Sequence, residues 1–191
     1  MFASRFGGSE TTGDRTFVFD EATLPEALSV AGYHTICVGG TGFFNPDNAL
    51  GRVLPSLFDE SHWSVEMSVV GRNSAYHQVR CAIDAVERQK DRRVFCFINF
   101  SAIHQPNWFF ADDLLTRDRP DPPTDTLASH GEALIEIDRQ LARLLECFRQ
   151  RGGLFALVLS DHGTAYGEDN YWGHRLAHSV VWEVPYAEFE W

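Results

Sequence analysis

The chain has 191 residues, which lies within the usual ~100–200 residues of one domain, so two complete domains are not expected. Its hydrophobic fraction of 44% and charged fraction of 23% exclude a disordered or fibrous protein. The net charge of −11, from 27 acidic and 16 basic residues, argues against binding to nucleic acid or to an anionic membrane, so a phosphate-like substrate would need a local positive centre such as a bound metal ion.

The first third of the chain predicts a loop, a helix and a buried strand. Residues 1–20 are rich in glycine, serine, threonine and charge, which is typical of a loop. Asp20 or Thr23 can cap a helix through Leu24–Leu28, which has proline near its first turn and glycine past its end. The partly β-branched run His34–Val38 ends at two glycines and predicts a buried strand.

The middle of the chain predicts an irregular segment, a helix and the most apolar strand. Turn residues interrupt the stretch from Thr41 to Trp63, where we expect no regular element. Apolar residues at helical spacing predict a helix over about residues 73–90. The almost continuously apolar run Val94–Phe100 predicts a strand covered on both faces, and it leads into a polar turn at 101–106.

The last third repeats the alternation of helix and strand. Proline and charge in residues 117–125 predict a surface loop, and an amphipathic pattern predicts a helix over Leu127–Arg149. A second buried strand is expected over Leu154–Ser160. This order predicts a single α/β domain over residues 1–191, with a mainly parallel sheet and helices on both of its faces.

The cysteines and the apolar stretches bear on the compartment. The four cysteines are widely spaced and form no Cys-x-x-Cys pair, so we expect core thiols rather than disulfides or a zinc knuckle. No apolar stretch approaches the ~18 residues of a membrane span. The sequence therefore predicts a cytoplasmic protein without a membrane segment.

Polar side chains that follow the two apolar strands are the first candidates for a site, because ligands gather at the carboxyl ends of parallel strands. His104 follows one strand, and Asp161 and His162 follow the other, with His174 and His178 close behind. Carboxylate and imidazole groups suit zinc and, with more oxygen donors, manganese. By spacing alone, a metal site and a structural role, with surface histidines and an aspartate that accepts loop hydrogen bonds, are equally well supported.

The amino-acid sequence of the last segment resembles the C-terminal signature of sulfatases and related hydrolases of the alkaline phosphatase superfamily. The matching runs are Leu157–Gly163, Gly167-Glu168, Gly173-His174 and Glu183–Tyr186. Earlier segments fit the same order, among them the helix and strand between Thr23 and Thr35 and the strand and turn between Phe97 and Pro106. The likeness covers about residues 20–191. Residues 39–46 are most similar to sulfatase-like metalloenzymes found beside radical-SAM enzymes in bacterial gene clusters.

The resemblance implies roles for the candidate residues. It makes Asp161 and His162 metal ligands, with His178 as a further candidate ligand of a divalent ion, zinc or manganese. It makes His104 and His174 the candidate catalytic residues: His104 would contact a tetrahedral anion, and His174 would contact substrate or a second metal. It also implies an alkaline phosphatase-like α/β/α sandwich and a small-molecule phosphate or sulfate ester as substrate.

The chain also departs from the family pattern. Members have an N-terminal strand with acidic metal ligands, followed by a threonine, serine or cysteine nucleophile, and we expect this sequence to begin after both. The hydroxyl residues Ser4, Ser9, Thr11 and Thr12 have no apolar strand before them to fix their geometry. The glycine-rich loop at Gly39 lacks the Gly-Lys-Trp-His pattern of typical sulfatases, and there is no Cys-x-Pro-x-Arg motif. These departures favour a phosphate ester over a sulfate ester.

Two functional hypotheses follow from these observations. The first is a metal-dependent hydrolase or transferase that is incomplete without an N-terminal nucleophile segment, which a separate chain could supply. The second is a non-catalytic or degenerate α/β domain that binds metal or serves as an accessory protein. A truncated or incomplete sequence is the third alternative.

Overall fold

The computed structural model describes residues 22–48, 50–111, 124–175 and 177–191. The helices are α1 Leu24–Val30, α2 Ser74–Glu87, α3 Leu127–Arg149 and α4 Ser179–Trp182. The strands are β1 His34–Val38, β2 Glu60–His62, β3 Val94–Ile98, β4 Phe155–Leu159, β5 Ala165–Tyr166, β6 Trp172–Gly173 and β7 Tyr186–Glu190. The predicted loop over residues 1–20, with Ser4, Ser9, Thr11 and Thr12, and most of the predicted loop over 117–125 lie outside the described residues.

Three strands form a parallel sheet in the order β2-β1-β3. In its register His34 lies opposite Val94 and Val38 opposite Ile98, so β1 and β3 end at the same edge. The three-residue strand β2 interrupts the segment that was predicted to be irregular. Its polar sequence carries no strand pattern, and it is a strand only because Glu60, Ser61 and His62 pair with β1.

The core lies between this sheet and two helices. Ile36 and Val38 of β1 are fully buried and pack with Val79 and Val86 of α2 and with Leu144 of α3. Apolar residues at helical spacing in α2 and α3 therefore face the sheet, as their periodicity predicted.

Aromatic side chains partly cover the opposite face of the sheet, where Phe97 is still 38% exposed. Phe58 stacks on Phe95 at a ring-centroid distance of 6.2 Å, and it lies 5.9 Å from Phe97. Phe44 lies 5.9 Å from Phe97 on the same side. Phe44 and Phe58, from the irregular segment between β1 and β2, thus pack on this face, whereas helices pack on the other face.

Strand β4 does not join the parallel sheet within the described residues. It pairs antiparallel with β7, with Phe155 opposite Glu190 and Leu159 opposite Tyr186. Phe155, Leu157 and Leu159 point to one face of this pair and are 61%, 47% and 60% exposed. The α/β prediction is confirmed for the parallel sheet and its helices, while β4 carries an apolar face that the described residues leave open.

The four cysteines lie in or against the hydrophobic core. All four cysteines are free, and burial raises the pKa of the Cys96 and Cys37 thiols to about 12. Cys81, Cys96 and Cys147 pack against the main core. Among the described residues no helix is both long and apolar enough to cross a bilayer.

Candidate functional site

The turn that carries His104 begins where β3 ends and is held by a buried glutamine. Gln78 of α2 is fully buried, and its side chain donates to the Asn99 carbonyl at 2.6 Å and accepts from the Ser101 amide at 3.2 Å. The Ser101 hydroxyl donates to the Met67 carbonyl at 2.7 Å. These bonds pair buried polar groups of the turn, and they fix the backbone that presents His104.

The second loop follows β4 and carries Asp161, His162 and Gly163. The Gly163 amide donates to the Val181 carbonyl at 2.7 Å, so the loop lies against α4. A Cβ atom at Gly163 would come within 2.0 Å of the Val180 carbonyl oxygen, which explains why glycine follows the histidine. Asp161 extends into solvent, with 88% of its side chain exposed.

The hydrogen bonds of His104 and His162 fix the same tautomer in both rings. Nδ1 of His162 lies 2.9 Å from the Gly163 carbonyl, and Nδ1 of His104 contacts the Gln105 carbonyl. A carbonyl can only accept, so each Nδ1 must carry a proton and each neutral ring must keep its lone pair on Nε2. Backbone carbonyls orient metal-binding histidines in this way. Both rings therefore offer a free Nε2 to a ligand.

His174 joins this group from the strand pair β5–β6. Its ring stacks on His162 with centroids 4.3 Å apart and an angle of 20° between the planes. Partial burial lowers the pKa of His174, and positive charge on His162, Arg175 and His104 lowers it further, while Asp161 raises it. His104, His162 and Asp161 thus each lie within electrostatic range of His174, and His174 favours the neutral form that binds metals.

His178 uses both ring nitrogens elsewhere. Its Nδ1 accepts from the Val180 amide at 3.2 Å as the N-cap of α4, so its Nε2 carries the proton and lies 3.2 Å from the Asp169 carboxylate. The ring also contacts Tyr171 at a centroid distance of 5.6 Å. This arrangement gives no support to His178 as a metal ligand, which stays an untested prediction.

The chemical types of the candidate ligands suit a divalent metal ion, but too few of them lie together. Neutral imidazoles and a solvent-facing carboxylate are the groups that zinc binds. His162 Nε2 and Asp161 Oδ2 are 3.8 Å apart, close enough for two ligands of one ion after a small side-chain rotation. Within the described ranges, however, no three histidine, cysteine, aspartate or glutamate side chains are grouped closely enough to hold a metal ion. The donor types suit a divalent ion, but the described residues do not form a complete metal site.

Several polar residues near these loops escaped sequence analysis. The Tyr166 hydroxyl lies 3.1 Å from Asn107 Nδ2 and 3.0 Å from His130 Nδ1, and Asp125 accepts from the Asn107 amide at 2.7 Å. His130 matched no motif because its partner is distant in sequence. Arg175, directly after His174, could have been noticed as a basic residue beside a candidate ligand.

The comparisons with known proteins come from a family model and from solved structures. The model of the family described as Sulfatase matches residues 2–187. No curated protein sequence matches the chain. The chain is similar in structure to the C-terminal periplasmic domain of the phosphoethanolamine transferase EptC from Campylobacter jejuni, with a TM-score of 0.60, 14% identity, and coverage of 86% of this chain and 55% of that one.

A second solved structure has the same fold. The lipoteichoic acid synthase LtaP from Listeria monocytogenes matches with a TM-score of 0.58 and 19% identity over 86% of this chain and 45% of that one. The chain therefore spans about half the length of the structures it matches. At these identities the likeness concerns the fold alone.

The prediction of a cytoplasmic location is wrong. The EptC domain, which shares this fold, is periplasmic. The prediction depended on the lack of an apolar segment in a chain that spans about half of its structural neighbours, and such a lack carries no information on the compartment in which a domain folds.

Proposed function

The chain belongs to the sulfatase family, and on that premise we propose that it supplies one part of the active site of a metal-dependent hydrolase or transferase that acts on a phosphate or sulfate ester. The observation that carries the proposal is the stacking of His174 on His162, with His104 in electrostatic range of His174 and with Nε2 of His104 and His162 left free by backbone carbonyls.

Asp161 and His162 would hold the metal ion, and His174 would contact the substrate or bind a second metal ion. The carboxylate brings one negative charge and the neutral imidazole brings none, so a divalent ion bound here keeps a net positive charge. When bound, such an ion lowers the pKa of a nucleophile and neutralises charge on the transferred group. His174 stays neutral over a wider pH range than an exposed histidine because burial and nearby positive charge lower its pKa.

His104 would contact the substrate anion from the opposite loop. Its Nδ1 is committed to the Gln105 carbonyl, so its Nε2 can accept a hydrogen bond when neutral or donate one when protonated. Arg175 adds an exposed positive charge beside His174. In a protein with a net charge of −11, this local group of basic side chains is where an anion would be attracted.

We favour a phosphate ester as the substrate. The sequence lacks the lysine of the Gly-Lys-Trp-His pattern and the cysteine of the Cys-x-Pro-x-Arg motif that sulfatases use. One of its structural neighbours is a phosphoethanolamine transferase, and phosphoethanolamine is itself a phosphate ester.

The nucleophile would come from polypeptide other than the two loops. The Ser101 hydroxyl is buried and bonded to the Met67 carbonyl, and the Ser160 hydroxyl donates to the His162 carbonyl, so neither is free to attack a substrate. Strands β3 and β4, which the two loops follow, lie in different sheets within the described residues. A segment of the same protein or a separate chain could supply the nucleophile.

A non-catalytic or degenerate accessory domain, with at most weak metal affinity, is the second candidate. It is favoured by one observation, which is that no three donor side chains in the described part of the chain are grouped to hold a metal ion. A domain that keeps a weak half-site and lacks a nucleophile would serve as an accessory protein.

Metal content and activity together decide between these functions. The protein would be purified without chelator and analysed for zinc and manganese by mass spectrometry, beside an Asp161→Ala/His162→Ala double variant. It would then be assayed on an aryl phosphate, a phosphodiester and an aryl sulfate, together with the polypeptide that supplies the nucleophile. Metal and activity that are both lost in the variant support the enzyme. Metal without activity, or absence of metal from both proteins, contradicts the enzyme and supports the accessory role.

A further inference from the structure

The two loops of the candidate site are not connected by a strand ladder. His104 follows β3 in the parallel sheet, whereas His162 follows β4 in the separate pair β4–β7. Within the described residues, backbone pairing between β3 and β4 therefore does not set the distance between the loops. Some other contact must do so if His104 and His174 are to reach the same ligand.

Side chains around Tyr166 provide that contact. Asn107 is completely buried, and its Nδ2 donates both to the Ile103 carbonyl at 3.2 Å and to the Tyr166 hydroxyl at 3.1 Å. Ile103 directly precedes His104, so the same amide group clamps the turn that carries this histidine. The Ser129 hydroxyl donates to Asn107 Oδ1 at 2.6 Å and ties the amide to the first turn of α3.

Tyr166 itself is fixed to the hairpin that carries His174. It belongs to β5, where it pairs with Trp172 of β6, and His174 follows that strand directly. Its amide donates to the Glu168 carboxylate at 2.6 Å. Its hydroxyl also bonds His130 Nδ1 at 3.0 Å, with the two rings edge to face at 5.4 Å. One hydroxyl thus joins the His104 turn, helix α3 and the His174 hairpin.

We propose that Tyr166 is a positioning residue, whose hydroxyl holds the turn bearing His104 at a fixed place relative to the hairpin bearing His174, so that both histidines reach one tetrahedral anion. This inference rests on the proposed function for the identity of the ligand. The bridge between the loops does not depend on it. Tyr166 acts through Asn107 and makes no contact with the anion.

The test compares Tyr166→Phe with Tyr186→Phe. Both variants remove one hydroxyl, but among the described residues the Tyr186 hydroxyl bonds Glu188 alone, on the exposed strand β7. Loss of a part-buried hydrogen bond predicts roughly threefold to tenfold faster amide hydrogen exchange in residues 101–108 of the metal-free Tyr166→Phe protein, and no change there in the control. If Tyr166→Phe does not fold, His130→Phe removes another partner of the same hydroxyl.

A second measurement distinguishes positioning from mere stability. Inorganic phosphate would be titrated into the zinc-loaded proteins. Tyr166→Phe should weaken phosphate binding by about threefold to tenfold, leave zinc affinity unchanged, and have no further effect in a His104→Ala background. Unchanged exchange in residues 101–108 would overturn the inference, as would an equal loss of phosphate affinity with and without His104. If the parent protein binds no phosphate, the proposed function fails, while the exchange data still decide whether Tyr166 joins the loops.

Discussion

Replacing His162 and His178 separately by alanine tests which histidine binds the metal. His162 keeps Nε2 free, 3.8 Å from Asp161 Oδ2, because its Nδ1–H bonds the Gly163 carbonyl. His178 has no free lone pair, because Nδ1 accepts from the Val180 amide and Nε2 faces Asp169. His178 is therefore a matched control for His162, since both are histidines in the same segment of the chain. They differ in one respect, which is that a metal ion can reach a nitrogen lone pair of His162 and not of His178.

The expected magnitudes differ accordingly. Removing a group that merely orients a metal ligand costs about 10–100-fold in affinity, so removing the ligand itself in His162→Ala should cost about 100-fold or more, or ~2.8 kcal/mol. His178→Ala removes the N-cap of α4, which costs about 0.5–2 kcal/mol of stability, and should change zinc affinity by less than about threefold.

Zinc affinity would be measured by competition with a chromophoric chelator, and stability by urea denaturation of the same samples. The expected pattern is a loss of affinity in His162→Ala and a loss of stability in His178→Ala. An equal loss of affinity in both variants, or a loss in His178→Ala alone, would refute the assignment based on hydrogen bonds and restore His178 as a ligand.

Three further predictions concern stability and association. The pKa of His130 is lowered by burial, which outweighs the opposing effect of Asp125. In the unfolded chain this histidine therefore binds a proton near pH 6.5, whereas in the folded protein it binds one only at lower pH. The stability present above the unfolded pKa should therefore fall as the pH drops through the folded pKa, and urea denaturation at pH 7.5 and pH 5 should show a smaller fall in His130→Gln. A Cβ atom at Gly40 would lie 2.6 Å from Ser101 Cβ, so Gly40→Ala should lower the free energy of unfolding by about 1–3 kcal/mol, whereas Gly131→Ala, with open space in helix α3, should raise it by roughly 0.5–1 kcal/mol. Leu157→Lys should reduce self-association in light scattering while changing the free energy of unfolding by less than about 1 kcal/mol, because this side chain is 47% exposed on an open apolar face.

One experimental result would contradict each of these three predictions. A pH dependence that is identical in His130→Gln would mean that this ring does not set it. Equal unfolding free energies for Gly40→Ala and the parent would mean that the loop at Gly40 can move away from the turn at Ser101 without cost. A Leu157→Lys protein that fails to fold would mean that the face is covered by part of the folded protein.

Local patterns predicted most of the regular elements. The helix over Leu127–Arg149 and the strand over His34–Val38 have the predicted bounds, and Val94–Ile98 lies inside the predicted strand. Their periodicity is a property of each segment, since one face must be apolar for the element to pack. Strand β2 was not predicted because Glu60, Ser61 and His62 have no such face.

The candidate site divides in the same way. The sequence by itself determined that Asp161 and His162 follow a strand, and the family follows from the order of such motifs. Only the tertiary structure decided that His174 stacks on His162, that His178 is committed to α4, and that Tyr166 bonds Asn107 and His130, which are 59 and 36 residues away in the chain. Hydrogen bonds between distant residues depend on how the loops meet after folding, and no pattern within a single segment records that distance.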